Sequence, residues 1–323
     1  MSLGEFELIE RFFRQLGARR ADVVLGVGDD AAVVAIPPGK SLVAAVDTLV
    51  EGIHFPRNSL PRSIGHRALA VNLSDIAAMG AKPTWALLAL TMPTADESWL
   101  AEFAAGLGDL ARRHDVAVIG GDTTSGPLTV SVTILGLADN GAYLARSGGA
   151  PGDRVFVSGA VGEAAAGLAI LESRLSGGSA AARELLQRRF LYPEPQLELG
   201  ARLNGIASAA IDISDGTAGD IEKLARASGC GARIDVTRLP LSQPLLECAG
   251  PEAARDFALS GGDDYELCFT VPQERVPQLS ARVPADRWPY REVGVLTAGG
   301  ELEFFAGQTI VQAVRPGYDH FGH

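Results

Sequence analysis

The sequence predicts two domains, each a layered mixture of helices and strands, the α+β class. Three observations carry that prediction. The chain has 323 residues, about the length of two domains. Strand-like and helix-like runs are mixed along both halves. A Gly- and Pro-rich stretch, ARSGGAPGD at 145–153, separates two strand-like runs. The boundary falls at its start, giving domains of residues 1–145 and 146–323, with no clean sequence repeat between them. An apolar fraction of 47% suits chains that bury a core.

The elements follow in order. Phe6, Ile9, Phe13 and Leu16 recur at three and four, which predicts an amphipathic helix ending near Gly17. AAVVAI at 31–36, closed by Pro37, Pro38 and Gly39, and SLVAAVDTLV at 41–50 predict neighbouring strands. Leu69, Leu73, Ile76 and Met79 mark a helix over 62–79, ended by Gly80 and Pro83, with Asn72 and Asp75 on one face. WALLALTMP reads as a strand, residues 99–114 as a helix, VAVIGGDTT as strand then turn, and LTVSVTILGLA as a further strand. In the second half RVFVSGAVG, SAAIDISDG, CGARIDV and YELCFTV are strand-like. GEAAAGLAILESR, ARELLQRRF and GDIEKLARAS are helical.

Composition excludes several classes. A formal charge of -11 argues against nucleic acid as the main partner, because phosphate binding wants clustered Lys and Arg. Cys230, Cys248 and Cys268 are odd in number and far apart, which suggests neither a disulfide framework nor a zinc site. The N-terminus carries Glu5, Glu7 and Glu10 in place of a basic leader, and TWALLAL at 84–90 is too short to span a bilayer. The expectation is a soluble, cytoplasmic protein with no membrane partner.

The informative feature is the placement of aspartates. Asp29 and Asp30 precede a strand, Asp47 lies in AVDTLV, and Asp122 follows VIGG. Asp212 and Asp215 lie in IDISDG, and Asp263 with Asp264 in SGGDDYE. Nearly all sit at predicted strand ends beside Gly, Ser or Thr, where sheets present ligand groups. Each one alone also fits a turn or helix cap, and Asp220 reads as a helix-start charge. Together, ionised carboxylates would repel one another without cations. Hard oxygen ligands without His or Cys point to Mg²⁺, and Mg²⁺ held by a few carboxylates points to polyphosphate substrates. GGDTTSG and SDGTAGD offer backbone N–H groups to phosphate oxygens. No P-loop, protein-kinase signature set or dinucleotide GxGxxG is present.

The segments GVGDDAAV, VDTLVEGIHF, VNLSDIAAMGAKP, GGDTTSG, ARSGGAPGD, IDISDGTAGDI, SGGDDYEL and GYDHF span nearly the whole chain. In these, and in their order, the sequence resembles the thiamine-monophosphate kinase family of the PurM-like ATP-binding superfamily. The resemblance implies a two-domain PurM-like fold whose N-terminal domain pairs strands with a second copy into a dimer barrel. It implies transfer of the ATP γ-phosphoryl group to thiamine monophosphate, giving thiamine diphosphate and ADP, in line and without a phosphoenzyme. No Ser, Cys or His in the sequence has the setting of an activated nucleophile, and the acceptor phosphate is already an anion.

Carried over residue by residue, the resemblance implies several Mg²⁺ ions on Asp30, Asp47, Asp75, Asp122 and Asp212, with Asp215 binding a further ion. Of these, Asp30, Asp75, Asp122 and Asp212 are the catalytic set. Gly121, Asp122, Arg146 and Ser214 match ATP contacts, and His54, Asp263 and Tyr318 match substrate contacts. Asp264 is expected to orient its neighbours, and Glu266 is a further candidate. Asp30 is expected to face metal while Asp29 turns away, holding the loop or supporting a ligand from behind. Where the family commonly has Ser or Thr before the Asp of its DTL motif, this chain has Ala45 and Val46. A metal contact from Val46 must therefore be its carbonyl. Asp263 stands where the family more often has Glu.

Two rival readings stay open on the residues. One is another PurM-like enzyme, such as aminoimidazole ribonucleotide synthetase, selenophosphate synthetase or the hydrogenase-maturation dehydratase. The absence of Cys before 230 counts against the selenium enzyme. The other is a non-catalytic cation or nucleotide sensor on the same fold, against which Asp30, Asp75 and Asp122 stand.

Overall fold

The structure is a computed structural model that describes residues 4–311. By internal packing the chain forms two compact units. One holds residues up to Ile76 with Ala81–Gly141, and the other holds Ala77–Gly80 with residues from Ala142 onward.

In the first unit, α1 (Glu5–Leu8) runs into a π-helical turn, Ile9–Phe13. A two-stranded antiparallel ribbon pairs β1 (Val23–Leu25) with β2 (Val33–Val34). Only these two residues of AAVVAI are strand, and their partner β1 was not anticipated. The main sheet has the order β3-β6-β4-β5, from β3 (Lys40–Val50), β4 (Lys82–Met92), β5 (Ala117–Ser125) and β6 (Thr129–Asp139). Between these strands run α2 (Pro61–Ala78) and α3 (Glu97–Arg113). Helix α3 starts at Asp96, whose carboxylate accepts the Trp99 N–H at 2.9 Å, and buries Leu100, Phe103, Leu107 and Leu110. It connects β4 to β5, which are parallel. The two helices touch backbone to backbone. A Cβ on Gly65 would lie 2.1 Å from the Phe103 carbonyl oxygen, and one on Gly106 2.0 Å from that of Arg62.

GGDTTS differs from expectation. It continues β5 instead of turning, because the backbone pairs with β4 through Leu88↔Gly121 and Ala89↔Asp122. That approach needs glycine: Gly121 has φ +151, and a Cβ there would lie 1.7 Å from the Leu88 carbonyl oxygen. The expected barrel is not closed within the chain. The sheet is open, with β3 and β5 at its edges.

The second unit is built on a seven-stranded sheet of order β13-β12-β9-β11-β7-β10-β8. Its strands are β7 (Arg154–Ser158), β8 (Ala209–Asp212), β9 (Gly231–Asp235), β10 (Leu267–Val271), β11 (Tyr290–Thr297), β12 (Leu302–Ala306) and β13 (Thr309–Ile310). Alternation along β7 sends Val155 and Val157 to one face and Phe156 to the other. The first face packs on α7 (Thr217–Ala227) and α8 (Gln243–Ser260), through Ile221, Leu224, Ala258 and Leu259. The second packs on α6 (Leu197–Leu203) and α9 (Val276–Arg282), through Leu199, Leu203 and Leu279. Helices α4 (Glu163–Leu171) and α5 (Ala180–Leu191) join α8 in a smaller cluster around Ala166, Leu186 and Leu245. Among the described residues no helix is long and apolar enough to cross a membrane.

Candidate active site

In the first unit Asp47, Asp75, Gly121 and Asp122 ride on regular elements, whereas Asp30 and His54 stand in turns. Asp47 lies on the inner, half-buried face of edge strand β3, while Val46 points outward with 61% exposure. Asn72, fully buried on α2, accepts the Asp47 backbone N–H at 3.1 Å and donates to the Ala68 carbonyl at 3.0 Å. It thereby ties α2 to β3 beside half-buried Asp75, less than one turn away. Asp122 is exposed on β5 directly after Gly121. Asp30 is exposed, and its N–H is accepted by Asp29 Oδ1 at 2.8 Å, so Asp29 holds the turn. His54 is half-buried, and its Nδ1 accepts the Val50 N–H at 3.0 Å.

In the second unit Asp212 ends strand β8, and Ser214, Asp215 and Asp263 sit on loops at that end of the sheet. Asp212, 5% exposed, closes β8 opposite Leu267 of β10. The loop beyond it is held by Asp220, which has no exposed surface. One of its oxygens accepts the Ser214 and Asp215 N–H groups at 3.0 and 2.9 Å, and the other accepts Lys223 Nζ at 2.8 Å. Lys223 also reaches the Asp215 carboxylate. Burial pushes the Asp220 carboxyl above its ordinary range against the pull of Lys223. Burial lowers the Lys223 ammonium, but the two carboxylates outweigh it and hold its pKa above the ordinary value.

Exposed Arg146 begins a loop strapped to the same region. Its carbonyl accepts the Ser228 hydroxyl at 3.1 Å, and the preceding Ala145 carbonyl accepts the Ala210 N–H at 2.9 Å. Asp263 is half-buried on the loop entering β10. Asp264 is turned inward, where its carboxylate accepts the N–H groups of Gly162 at 2.6 Å and Ala164 at 3.1 Å, capping α4. Glu266 is buried and accepts the Ser158 hydroxyl at 2.5 Å and the Gln196 amide at 3.3 Å. It lines a small polar cavity with Asp264, Glu163 and Arg189, the last two paired at 2.9 Å. Burial pushes the Glu266 carboxyl up to about 7 and that of Asp264 well above the usual carboxylate range.

Among the described residues no three His, Cys, Asp or Glu side chains form a group that could hold a metal ion. The predicted ligands are instead distributed, with Asp30, Asp47, Asp75 and Asp122 on the first unit and Asp212 and Asp215 on the second. Their chemistry suits a hard divalent cation, since every side-chain donor is a carboxylate oxygen. Lys223 on Asp215 shows that this carboxylate already takes a cation. Tyr318 lies outside the described residues.

Residues 28–138 match the family "AIR synthase related protein, N-terminal domain", and residues 150–307 match its C-terminal domain. The thiamine-monophosphate kinase of Escherichia coli K12 is 46% identical over 322 residues, 99% of each chain. The chain belongs to the thiamine-monophosphate kinase family. The crystal structure of the family member from Stenotrophomonas maltophilia superposes with a TM-score of 0.84 at 42% identity, covering 94% of this chain and 97% of that one. The family member AaThiL, complexed with AMPPCP and TMP, superposes with a TM-score of 0.76 at 30% identity, covering 89% of each chain.

Beside the predicted residues, Lys223 contacts Asp215 and Asp220, and the Tyr265 phenol donates to Asp263 Oδ1 at 3.0 Å. Lys223 lies three residues after Asp220 on a helix, a spacing that predicts pairing and could have found it. Tyr265 carries no such spacing signal, because its contact with Asp263 depends on a backbone at φ 52.

Proposed function

We propose that this chain transfers the γ-phosphoryl group of ATP directly to the phosphate of thiamine monophosphate. An acceptor phosphate oxygen bonds to the γ-phosphorus as the bond to the β,γ-bridging oxygen breaks. The products are thiamine diphosphate and ADP. The observation that carries this reading is 46% identity along the full chain with a thiamine-monophosphate kinase. The acceptor is already an anion, so the protein's task is positioning and charge compensation, not activation of a nucleophile.

In this reading Asp30, Asp47, Asp75, Asp122 and Asp212 hold Mg²⁺, with the Val46 carbonyl beside them and Asp215 holding a further ion. When bound, Mg²⁺ shields the phosphate oxygens and aligns donor with acceptor. Gly121, Asp122, Arg146 and Ser214 receive the nucleotide. Gly121 lets the backbone approach closely, and the Arg146 guanidinium offers a planar fork of donors to phosphate. His54, Asp263 and Tyr318 bind the acceptor. The nucleotide-binding and dimerising domain is 1–145, and 146–323 is its C-terminal companion.

A homodimer completes the proposal, with two copies closing a barrel through their first domains. Its support is the eleven-residue edge strand β3, which exposes Leu42 at 48% and Val46 at 61%. An edge of this length offers a row of unpaired N–H and C=O groups to a second strand. A cytoplasmic setting accords with three buried free thiols. The test is ADP and thiamine diphosphate formation from ATP, Mg²⁺ and thiamine monophosphate, with molar mass measured by light scattering. ATP binding without product would favour the sensor reading, and a monomeric mass would remove the dimer.

A further inference from the structure

Strands β8 and β10 are antiparallel neighbours, so the loop leaving one and the loop entering the other lie at the same end of the sheet. Three backbone hydrogen bonds stitch them together. The Asp263 N–H donates to the Ser214 carbonyl at 2.9 Å, the Tyr265 N–H to that of Ile213 at 2.9 Å, and the Ile213 N–H to that of Glu266 at 2.8 Å. Gly262 makes the approach possible, because a Cβ there would sit 2.1 Å from the Ser214 carbonyl oxygen.

The entering loop is strained. Asp263 has φ 73 and Tyr265 φ 52, both in the left-handed region that L residues seldom adopt. Between them the Asp264 carboxylate is clamped on the N–H groups of Gly162 and Ala164. This backbone turns the ring of Tyr265, 7% exposed, back towards Asp263, and its phenol donates to Asp263 Oδ1 at 3.0 Å. Phenylalanine would fill the same space, so packing alone does not account for the hydroxyl.

We propose that Tyr265 is a positioning residue for the kinase reaction, its phenol fixing the Asp263 carboxylate in the orientation that receives the acceptor substrate. This rests on the reading of Asp263 as a substrate contact. A carboxylate suits the cationic thiazolium and the amino group of thiamine monophosphate, not its phosphate. Tyr265 therefore governs recognition of the acceptor and not of ATP.

The experiment is steady-state kinetics and thermal melting on Tyr265→Phe, Asp263→Asn and the double variant of the full chain with Mg²⁺. Tyr265→Phe is expected to raise the thiamine-monophosphate KM by ~3- to 20-fold, a fraction of the loss of a hydrogen bond to a charged group. The ATP KM should stay unchanged, and Tm should fall by no more than a few degrees. The double variant should match Asp263→Asn alone, because Tyr265 acts through that carboxylate. An unchanged acceptor KM in Tyr265→Phe, independent multiplication of the two effects, or a lowered Tm with both KM values raised would each overturn the proposal. If Asp263→Asn itself leaves the acceptor KM unchanged, the substrate-contact reading fails and the proposal falls with it. If only Tyr265→Phe is neutral, the substrate contact stands and the proposal alone is lost.

Discussion

The two units hold their candidate site residues in opposite ways. In the first, Asp47, Asp75 and Asp122 are placed by the register of a strand, a helix and a second strand, and the backbone of those elements fixes their positions. In the second, Ser214, Asp215 and Asp263 stand on loops pinned by carboxylates: buried Asp220 accepts N–H groups of its own loop, and half-buried Asp264 accepts those at the start of α4. A loop has no ladder to fix it, so its backbone groups must be satisfied by side chains. The lesson is that site residues on regular elements should be removable without loss of fold. The supports of loop-borne residues should not.

Asp220→Ala tests the loop side with the largest expected effect. It leaves the Ser214 and Asp215 N–H groups without their acceptor and strips Lys223 of a buried partner. Each N–H left unsatisfied costs about 1–3 kcal/mol, to be read in urea unfolding, together with a raised ATP KM. A loss below about 1 kcal/mol, the size of an ordinary substitution, would show that the loop holds itself. Asp122→Ala tests the other side. Removing a group that merely supports a metal ligand loses about 10- to 100-fold, so removing a proposed ligand should lower turnover by more than ~100-fold. Asp122 is exposed on an edge strand, so stability should move by less than about 0.5 kcal/mol. Near-normal turnover would remove Asp122 from the ligand set, and a large stability loss would erase the contrast between the units.

The same contrast explains what the sequence made legible. β3 and α3 are readable because alternation or three-and-four spacing follows directly from burial on one side, whereas α2 and β10, buried nearly all round, are readable from their apolar content. Helix α8 was not, because Gly250 at φ 74 and Pro251 interrupt its pattern. Nor was β11, where Arg291 and Glu292 dilute the apolar run. GGDTTS reads as a turn because glycines signal turns in general, whereas here they allow close pairing with β4. The carboxylates of the site were legible as residues beside Gly and Ser. Their supports are less so: Asp220 reads as a helix-start charge and Asp264 as an orienting residue, and the structure adds that their oxygens face backbone N–H groups.

The smallest expected effect concerns Glu266, which stands behind the second unit's loops. Burial raises its carboxyl from 4.5 to about 7. The folded protein therefore binds this proton more tightly than the unfolded chain does, and between those two values folding takes up a proton. The contribution of Glu266 to stability falls as pH rises through this window and is flat above it. Glu266→Gln removes the titration while keeping the size of the side chain. The difference in unfolding free energy, variant minus parent, should rise between pH 4.5 and 7 by on the order of 1–3 kcal/mol. Asp264, also raised by burial, is present in both proteins and largely cancels from that difference. Urea unfolding at pH 5 and pH 8 reads the effect. Parallel pH dependences would mean that Glu266 stays ionised throughout, held by Ser158 and Arg189 more strongly than burial opposes it.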